Sequence, residues 1–199
     1  MARIGILGGS FNPPHVAHLV CASEAAAQLE LDRVLLTPVA APPHKDAERD
    51  PGPRARLELC RLAIGDDERL GVCDVEVRRG GPSYTVDTLR ELHERTPEDD
   101  LTFIVGGDIA LGLPTWHEPE AVLGLARLAV VERSGAGRRH VAARLAERFA
   151  DAPPPVFFEM PRLDISSSQI RRRVAQGRPI RYLVPDRVAE RIAREGMYR

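Results

Sequence analysis

Short apolar runs with strand character alternate with helical patterns along the whole chain, and no other property narrows its fold so far. The candidate strands are Arg3–Leu7, Arg33–Pro38, Val72–Val77, Leu101–Val105, Leu128–Glu132 and Val156–Met160. Between them "VCASEAAAQLEL", "RARLELCRLAI", "YTVDTLRELHER", "EPEAVLGLA" and "RRHVAARLAERFA" carry apolar residues near helical spacing. This alternation predicts an α/β fold, a parallel sheet with helices on both faces and ligands in the crevice at the strands' carboxyl ends. From Ser166 onward the pattern is helical, in two pieces parted by "GRPIRYLVP". At 199 residues the expectation is one domain, residues 1–199, with a C-terminal helical part at about 166–199. Residues 43–53 ("PHKDAERDPGP") and 151–155 ("DAPPP") read as mobile. The first follows strand two, where such a sheet places a binding loop; the second is a linker.

Charge narrows the partners. A formal net charge of −1 argues against broad electrostatic binding to nucleic acid or an anionic membrane, although local basic clusters can still hold a small anion. No apolar stretch approaches the roughly 18 residues a membrane span needs, and the N-terminus lacks a signal pattern. Cys21, Cys60 and Cys73 have no paired metal or redox spacing, which suits small core residues and a cytoplasmic location. Of 28 basic residues 27 are arginine, so Lys45, the only lysine, stands out.

The first strand runs into "GILGGSFNPPHVAHL". Gly5, Gly8 and Gly9 lack the G-x-G-x-x-G spacing of a dinucleotide fingerprint. They do allow backbone N–H groups to approach a ligand where strand one ends. Asn12 is expected as N-cap, with Pro13 or Pro14 opening the helix and His15 and His18 in its first turn, neighbours at three apart. A helix N-terminus favours negative charge, so two imidazoles there suit a polyphosphate. A metal site and ordinary capping or surface histidines are the alternatives for H-x-x-H. Near the C-terminus "ISSSQIR" (residues 165–171) reads as another helix start. Ser166 with Gln169 fits a capping box, leaving Ser167 and Ser168 hydroxyls and free N–H groups for phosphate. A simple cap before a solvated arginine run is the alternative.

Together these stretches resemble the two signatures of the adenylyltransferase and cytidylyltransferase superfamily, which has a Rossmann-like fold. "GGSFNPPHVAH" is similar to its H-x-G-H element, with Ala17 where many members have glycine, and "ISSSQIR" to its I-S-S-T-x-x-R element. Within the superfamily the whole chain resembles bacterial nicotinate-nucleotide adenylyltransferases. "APPHK" (41–45), "PSYTVDTL" (82–89), "GGDIALGLPTW" (106–116) and "IRYLVPDRVAERIAREGMY" carry that likeness.

The resemblance implies a single nucleotidyltransferase domain that joins ATP to nicotinate mononucleotide, releasing pyrophosphate and forming deamido-NAD. The attacking group is a phosphate, largely ionised at neutral pH, so alignment and charge neutralisation suffice and no general base is needed. It implies catalytic roles for His15, His18, Lys45 and Arg171, with His18 foremost. ATP is expected against Gly8, Gly9, Ser10, Phe11, His18, Gly106, Asp108, Ser166, Ser167, Ser168 and Arg171. Asp108 is expected at the ribose hydroxyls, as an N-cap of the next short helix, or both. For the mononucleotide it implies Trp116 stacking on the pyridine ring, Thr85 and the His117 backbone receiving the carboxylate, and Arg133 at its phosphate. Glu118 is expected to point into its own helix. Mg²⁺ is expected to arrive with ATP, because no carboxylate cluster suggests a protein-held metal site. Partners are then small molecules, with neither nucleic acid nor membrane; a homo-oligomer is left open. A nucleotide-binding regulatory module is the non-enzymatic alternative.

Overall fold

The computed structural model describes residues 1–41, 50–132 and 137–199. Six parallel strands form one sheet: β1 (Arg3–Gly9), β2 (Arg33–Pro38), β3 (Leu70–Val72), β4 (Asp100–Gly106), β5 (Arg127–Glu132) and β6 (Val156–Glu159). Their order is β3-β2-β1-β4-β5-β6. Nine α-helices are described: α1 (Val16–Gln28), α2 (Pro53–Ile64), α3 (Val75–Arg79), α4 (Thr85–Arg95), α5 (Gly107–Gly112), α6 (Pro119–Leu125), α7 (Arg138–Arg148), α8 (Ser167–Ala175) and α9 (Asp186–Glu195). A 3-10 turn, Leu113–Thr115, follows α5.

Alternate side chains of each strand point to opposite faces, and both faces are apolar, as a doubly covered parallel sheet requires. Leu7, Ile104, Ala129 and Val131 pack under α1, whose Ala17, Cys21, Ala22, Ala25 and Ala26 are buried. Ile6, Phe103, Val105, Leu128 and Val130 meet Val86 and Leu89 of α4, Ala110 of α5, Val122 of α6 and Val141 and Leu145 of α7. A third cluster joins Leu59 and Ala63 of α2 to Ile170 of α8, Val188 and Ile192 of α9, and Tyr198. The C-terminal helices therefore pack on α2. Among the described residues no helix is long and apolar enough to cross a membrane.

The strand order reverses between β1 and β4. Their pairing ends at Leu7 and Ile104, whereas β1 follows β2 to Gly9 and Pro38, and β4 follows β5 to Gly106 and Val131. The sheet thus opens at its carboxyl edge beside Gly8, Gly9 and Gly106, the crevice where open α/β sheets bind ligands.

Two local expectations are corrected. The run predicted as a strand over Val72–Val77 is β3 at Leu70–Val72 and then α3 from Val75. The alternating valines look like a strand, but the Arg78–Asp74 ion pair spans one helical turn and Gly80, at φ +69°, ends the helix. Helix α1 begins at Val16 with His15 as N-cap, not at the prolines after Asn12. Pro13 precedes Pro14, and a residue before proline is pushed out of the α region. Of the two segments read as mobile, residues 43–49 of the first lie outside the described residues and its Pro53 opens α2, while 151–155 lies in the connection from α7 to β6.

Candidate active site

The turn after β1 folds tightly on itself. Phe11 has φ +44° and is 1 % exposed; its ring lies over Gly9, where a Cβ would come within 3.2 Å of it. A side chain at Gly9 would press on this ring. Phe11 stands edge-on to His18 at 4.9 Å, and the His15 and His18 rings stack with centroids 3.6 Å apart. The His15 backbone N–H donates to His18 Nδ1 at 3.2 Å. With Nδ1 accepting, the proton of a neutral ring sits on Nε2, which becomes the donor. His15 is buried and His18 half-buried, so His15 backs the ring that reaches the crevice. The Val16 N–H donates to the Leu183 carbonyl, so this start of α1 offers fewer free backbone donors than the sequence suggests.

The second signature is bonded directly to the first. Ser166 caps α8, its hydroxyl accepting from the Gln169 N–H at 3.2 Å. Ser167 donates to the Pro13 carbonyl at 2.8 Å, and Arg171 Nη1 donates to the Asn12 carbonyl at 2.8 Å. Arg171 Nη2 also reaches Ser168 Oγ at 3.3 Å. Ser167 and Arg171, expected at the polyphosphate, thus hold the histidine turn in place. Arg171 has five donors and keeps others for an anion. The first N–H groups of α8 have no intrahelical acceptor.

Opposite, Thr85 is the first residue of α4 and is half-buried. The ring of Tyr84, the N-cap, meets that of His117 at 4.7 Å, which brings Thr85 and the Trp116–His117 pair to one place. Trp116 follows the 3-10 turn and packs its edge on Phe103 at 5.8 Å, so it is half-buried with part of the indole open. Its backbone N–H is spent on the Leu113 carbonyl at 3.0 Å, while the His117 side chain is 52 % exposed. Glu118 does not point into its own helix: it caps α6 from φ +48° and its carboxylate bonds Arg90 of α4. That guanidinium holds the Glu118 carboxyl below its ordinary range.

Asp108 lies in the first turn of α5, whose N-cap is Gly106 rather than Asp108. Its Oδ1 folds back to 2.8 Å from where a Gly106 Cβ would be, so a side chain there would displace this carboxylate. A cleft of about 410 Å³ at the ends of β4 and β5 is lined by Gly106, Asp108, Glu132 and His140 among others. A groove of about 500 Å³ over α2 and α3 lies away from both signatures and contains none of the expected site residues. Lys45 and Arg133 lie outside the described residues. Among the described residues no group of three or more His, Cys, Asp or Glu side chains is placed to hold a metal ion.

Sequence reasoning missed Arg56. It is 1 % exposed, and it donates from Nη1 to the Ser10 carbonyl at 2.8 Å, from Nη2 to the Ala40 carbonyl at 3.0 Å and from Nε to Asp50 Oδ1 at 3.1 Å. A signal existed: Arg56 sits three and four residues before Leu59 and Cys60, on the buried face of α2. Also missed was the support of α4. Thr88 donates to the buried Glu76 carboxylate at 2.9 Å and accepts from Arg79 at 3.0 Å. Burial pushes the Glu76 carboxyl up, against the Ser83 and Thr88 hydroxyls and the charges of Arg79 and Arg56. The three cysteines are buried and unbridged, and burial raises the Cys60 and Cys73 thiols, away from reactivity.

A family model described as cytidylyltransferase-like matches residues 6–173. A probable nicotinate-nucleotide adenylyltransferase of Roseiflexus sp. (strain RS-1) is 46 % identical over 199 residues, covering 100 % of this chain and 98 % of that one. One of Desulfitobacterium hafniense (strain Y51) is 41 % identical, covering 99 % and 96 %. Among solved structures, the Plasmodium falciparum nicotinic acid mononucleotide adenylyltransferase complexed with NaAD superposes with a TM-score of 0.79 at 18 % identity, covering 100 % of this chain and 98 % of that one. At that identity the likeness is one of fold.

Proposed function

The chain belongs to the cytidylyltransferase-like family and, within it, to the nicotinate-nucleotide adenylyltransferases, and from that premise we propose how its own residues carry out adenylyl transfer. The reaction joins ATP and nicotinate mononucleotide into nicotinate adenine dinucleotide and pyrophosphate, a step of NAD biosynthesis. An oxygen of the mononucleotide phosphate bonds to the α-phosphorus of ATP as the α–β phosphoanhydride bond breaks. The electron pair and charge leave with pyrophosphate. The nucleophile is already an anion, so the protein aligns and neutralises.

The observation that carries this reading is the bonding of Ser167 and Arg171 to the Pro13 and Asn12 carbonyls, which brings both signatures to one turn above the crevice. His18 Nε2–H faces the α-phosphate and steadies the charge that builds there. Gly8, Gly9, Ser10 and Phe11 shape the triphosphate turn; Ser166, Ser168 and Arg171 border it, and Lys45 adds a second cation. Gly106 and Asp108 take the ATP ribose. Thr85 and the His117 N–H receive the nicotinate carboxylate, Trp116 lies on the ring, and Arg133 meets the mononucleotide phosphate. Mg²⁺ enters as part of the nucleotide substrate. Both substrates are small metabolites, and a cytoplasmic setting suits them. Pyrophosphate release from ATP with nicotinate mononucleotide tests the proposal. Binding of both nucleotides without release would favour a regulatory module.

A further inference from the structure

We propose that Arg56 is a positioning residue that sets the spacing between the triphosphate turn and the wall that receives the pyridine mononucleotide. The inference rests on the adenylyltransferase reading and assigns a task to a residue that touches neither substrate.

Three bonds radiate from this guanidinium, and each ends on a different part of the chain. Nη1 holds the carbonyl of Ser10, in the turn between Gly9 and His15, at 2.8 Å. Nη2 holds the carbonyl of Ala40, just beyond β2, at 3.0 Å. The Ala40 N–H donates to Ser83 Oγ at 2.9 Å, and the Ser83 N–H donates to the Ala41 carbonyl at 3.3 Å. Ser83 lies two residues before Thr85, where α4 begins. One continuous path of bonds therefore runs from Ser10 through Arg56, Ala40 and Ser83 to the start of α4. Its two ends are the two substrate subsites.

The chemistry of the group explains why it is an arginine. A guanidinium is planar, and its donors diverge at fixed angles, so the separation of two carbonyls bonded to Nη1 and Nη2 is set by the rigid fork. A lysine ammonium on a flexible stem cannot impose that separation. Asp50 Oδ1, 3.1 Å from Nε, supplies the opposite charge that a cation 1 % exposed requires. With no general base in the mechanism, rate depends on how closely the attacking oxygen and the α-phosphorus are aligned, and misplacement by about 1 Å costs about 10²-fold.

The test separates turnover from affinity. In Arg56→Lys we expect kcat for pyrophosphate release to fall by about 10². Binding of ATP alone and of nicotinate mononucleotide alone, by titration calorimetry, should stay within about threefold, because each subsite is intact and only their separation has changed. A residue that only stabilises the fold would lower the unfolding midpoint and leave kcat per folded molecule alone. Ser83→Ala breaks the same path at a half-buried position and should show the same split, about tenfold in kcat, which keeps the proposal testable if Arg56→Lys does not fold. Turnover within about threefold of wild type in the folded variant, or a loss wholly explained by weaker binding of one substrate, overturns it. A wild-type protein that releases no pyrophosphate would sink the functional reading instead.

Discussion

The neutral ring of His18 is held in one tautomer by its own neighbour. Because the His15 N–H points at Nδ1, a neutral His18 donates from Nε2, and the stacked His15 ring behind it limits rotation. Removing such an oriented donor costs about 10²–10³ in turnover. His18→Ala should therefore lose that much kcat per folded molecule while the variant still folds; near-normal turnover would remove His18 from the chemistry. The pyridine side rests on which donors remain free. The Trp116 N–H is spent on the Leu113 carbonyl, and the Glu118 carboxylate, the nearest acid in sequence, is bonded to Arg90. Thr85, the start of α4 and the His117 N–H remain, and each charge-assisted bond contributes roughly 1.5–3 kcal/mol. We expect kcat/KM for nicotinate mononucleotide to exceed that for nicotinamide mononucleotide by about 10²–10⁴. Thr85→Val should erode that ratio, and Trp116→Ala should weaken both substrates through lost stacking. Equal kcat/KM values in the wild type would mean the pocket is misread.

At the scale of elements, α3 and α4 are joined through a carboxylate that burial holds partly against ionisation. Glu76 is 6 % exposed and its carboxyl is raised above the ordinary 4.5. A folded-state pKa above the unfolded one means the folded protein binds the proton more tightly. That contribution to stability is present below about pH 4.5 and is lost as pH rises through the folded value. Glu76→Gln keeps an acceptor for the Thr88 hydroxyl and has no proton to lose. The difference in unfolding midpoint, glutamine variant minus wild type, should grow from about pH 4 towards neutrality and then level off. A difference independent of pH would show that Glu76 does not titrate in this range.

Across the whole molecule, the end of the chain returns beneath its beginning. Tyr198 is 3 % exposed and packs in the cluster shared by α2, α8 and α9. Its phenol is pushed up by burial and by Asp50, while Arg171 and Arg56 oppose the shift. The hydroxyl has no hydrogen-bond partner among the described residues, so the ring supplies the stabilisation and the oxygen opposes it. Tyr198→Phe should leave stability unchanged or raise it by up to about 1 kcal/mol, whereas Tyr198→Ala should lose about 3 kcal/mol by chemical denaturation. A marked loss in the phenylalanine variant would show that the hydroxyl is bonded in solution.

The sequence by itself determined the features that short-range periodicity and local caps control. The alternation of strand and helix and the Ser166 cap of α8 depend on residues within a turn or two of each other, and that alternation in turn implies a parallel sheet. So do both signatures as motifs. Tertiary structure decided which donors those motifs keep. The α1 start lost its Val16 N–H to Leu183, Ser167 and Arg171 were drawn onto the Pro13 and Asn12 carbonyls, and Glu118 was taken by Arg90. It also decided that an arginine in an apolar helix face would join the turn after β1 to the segment beyond β2, because Ser10 and Ala40 meet around Arg56 only when the chain is folded. The physical reason is that a hydrogen bond spans about 3 Å whatever the sequence separation of its partners, so pairings between remote residues leave no periodic trace in the chain.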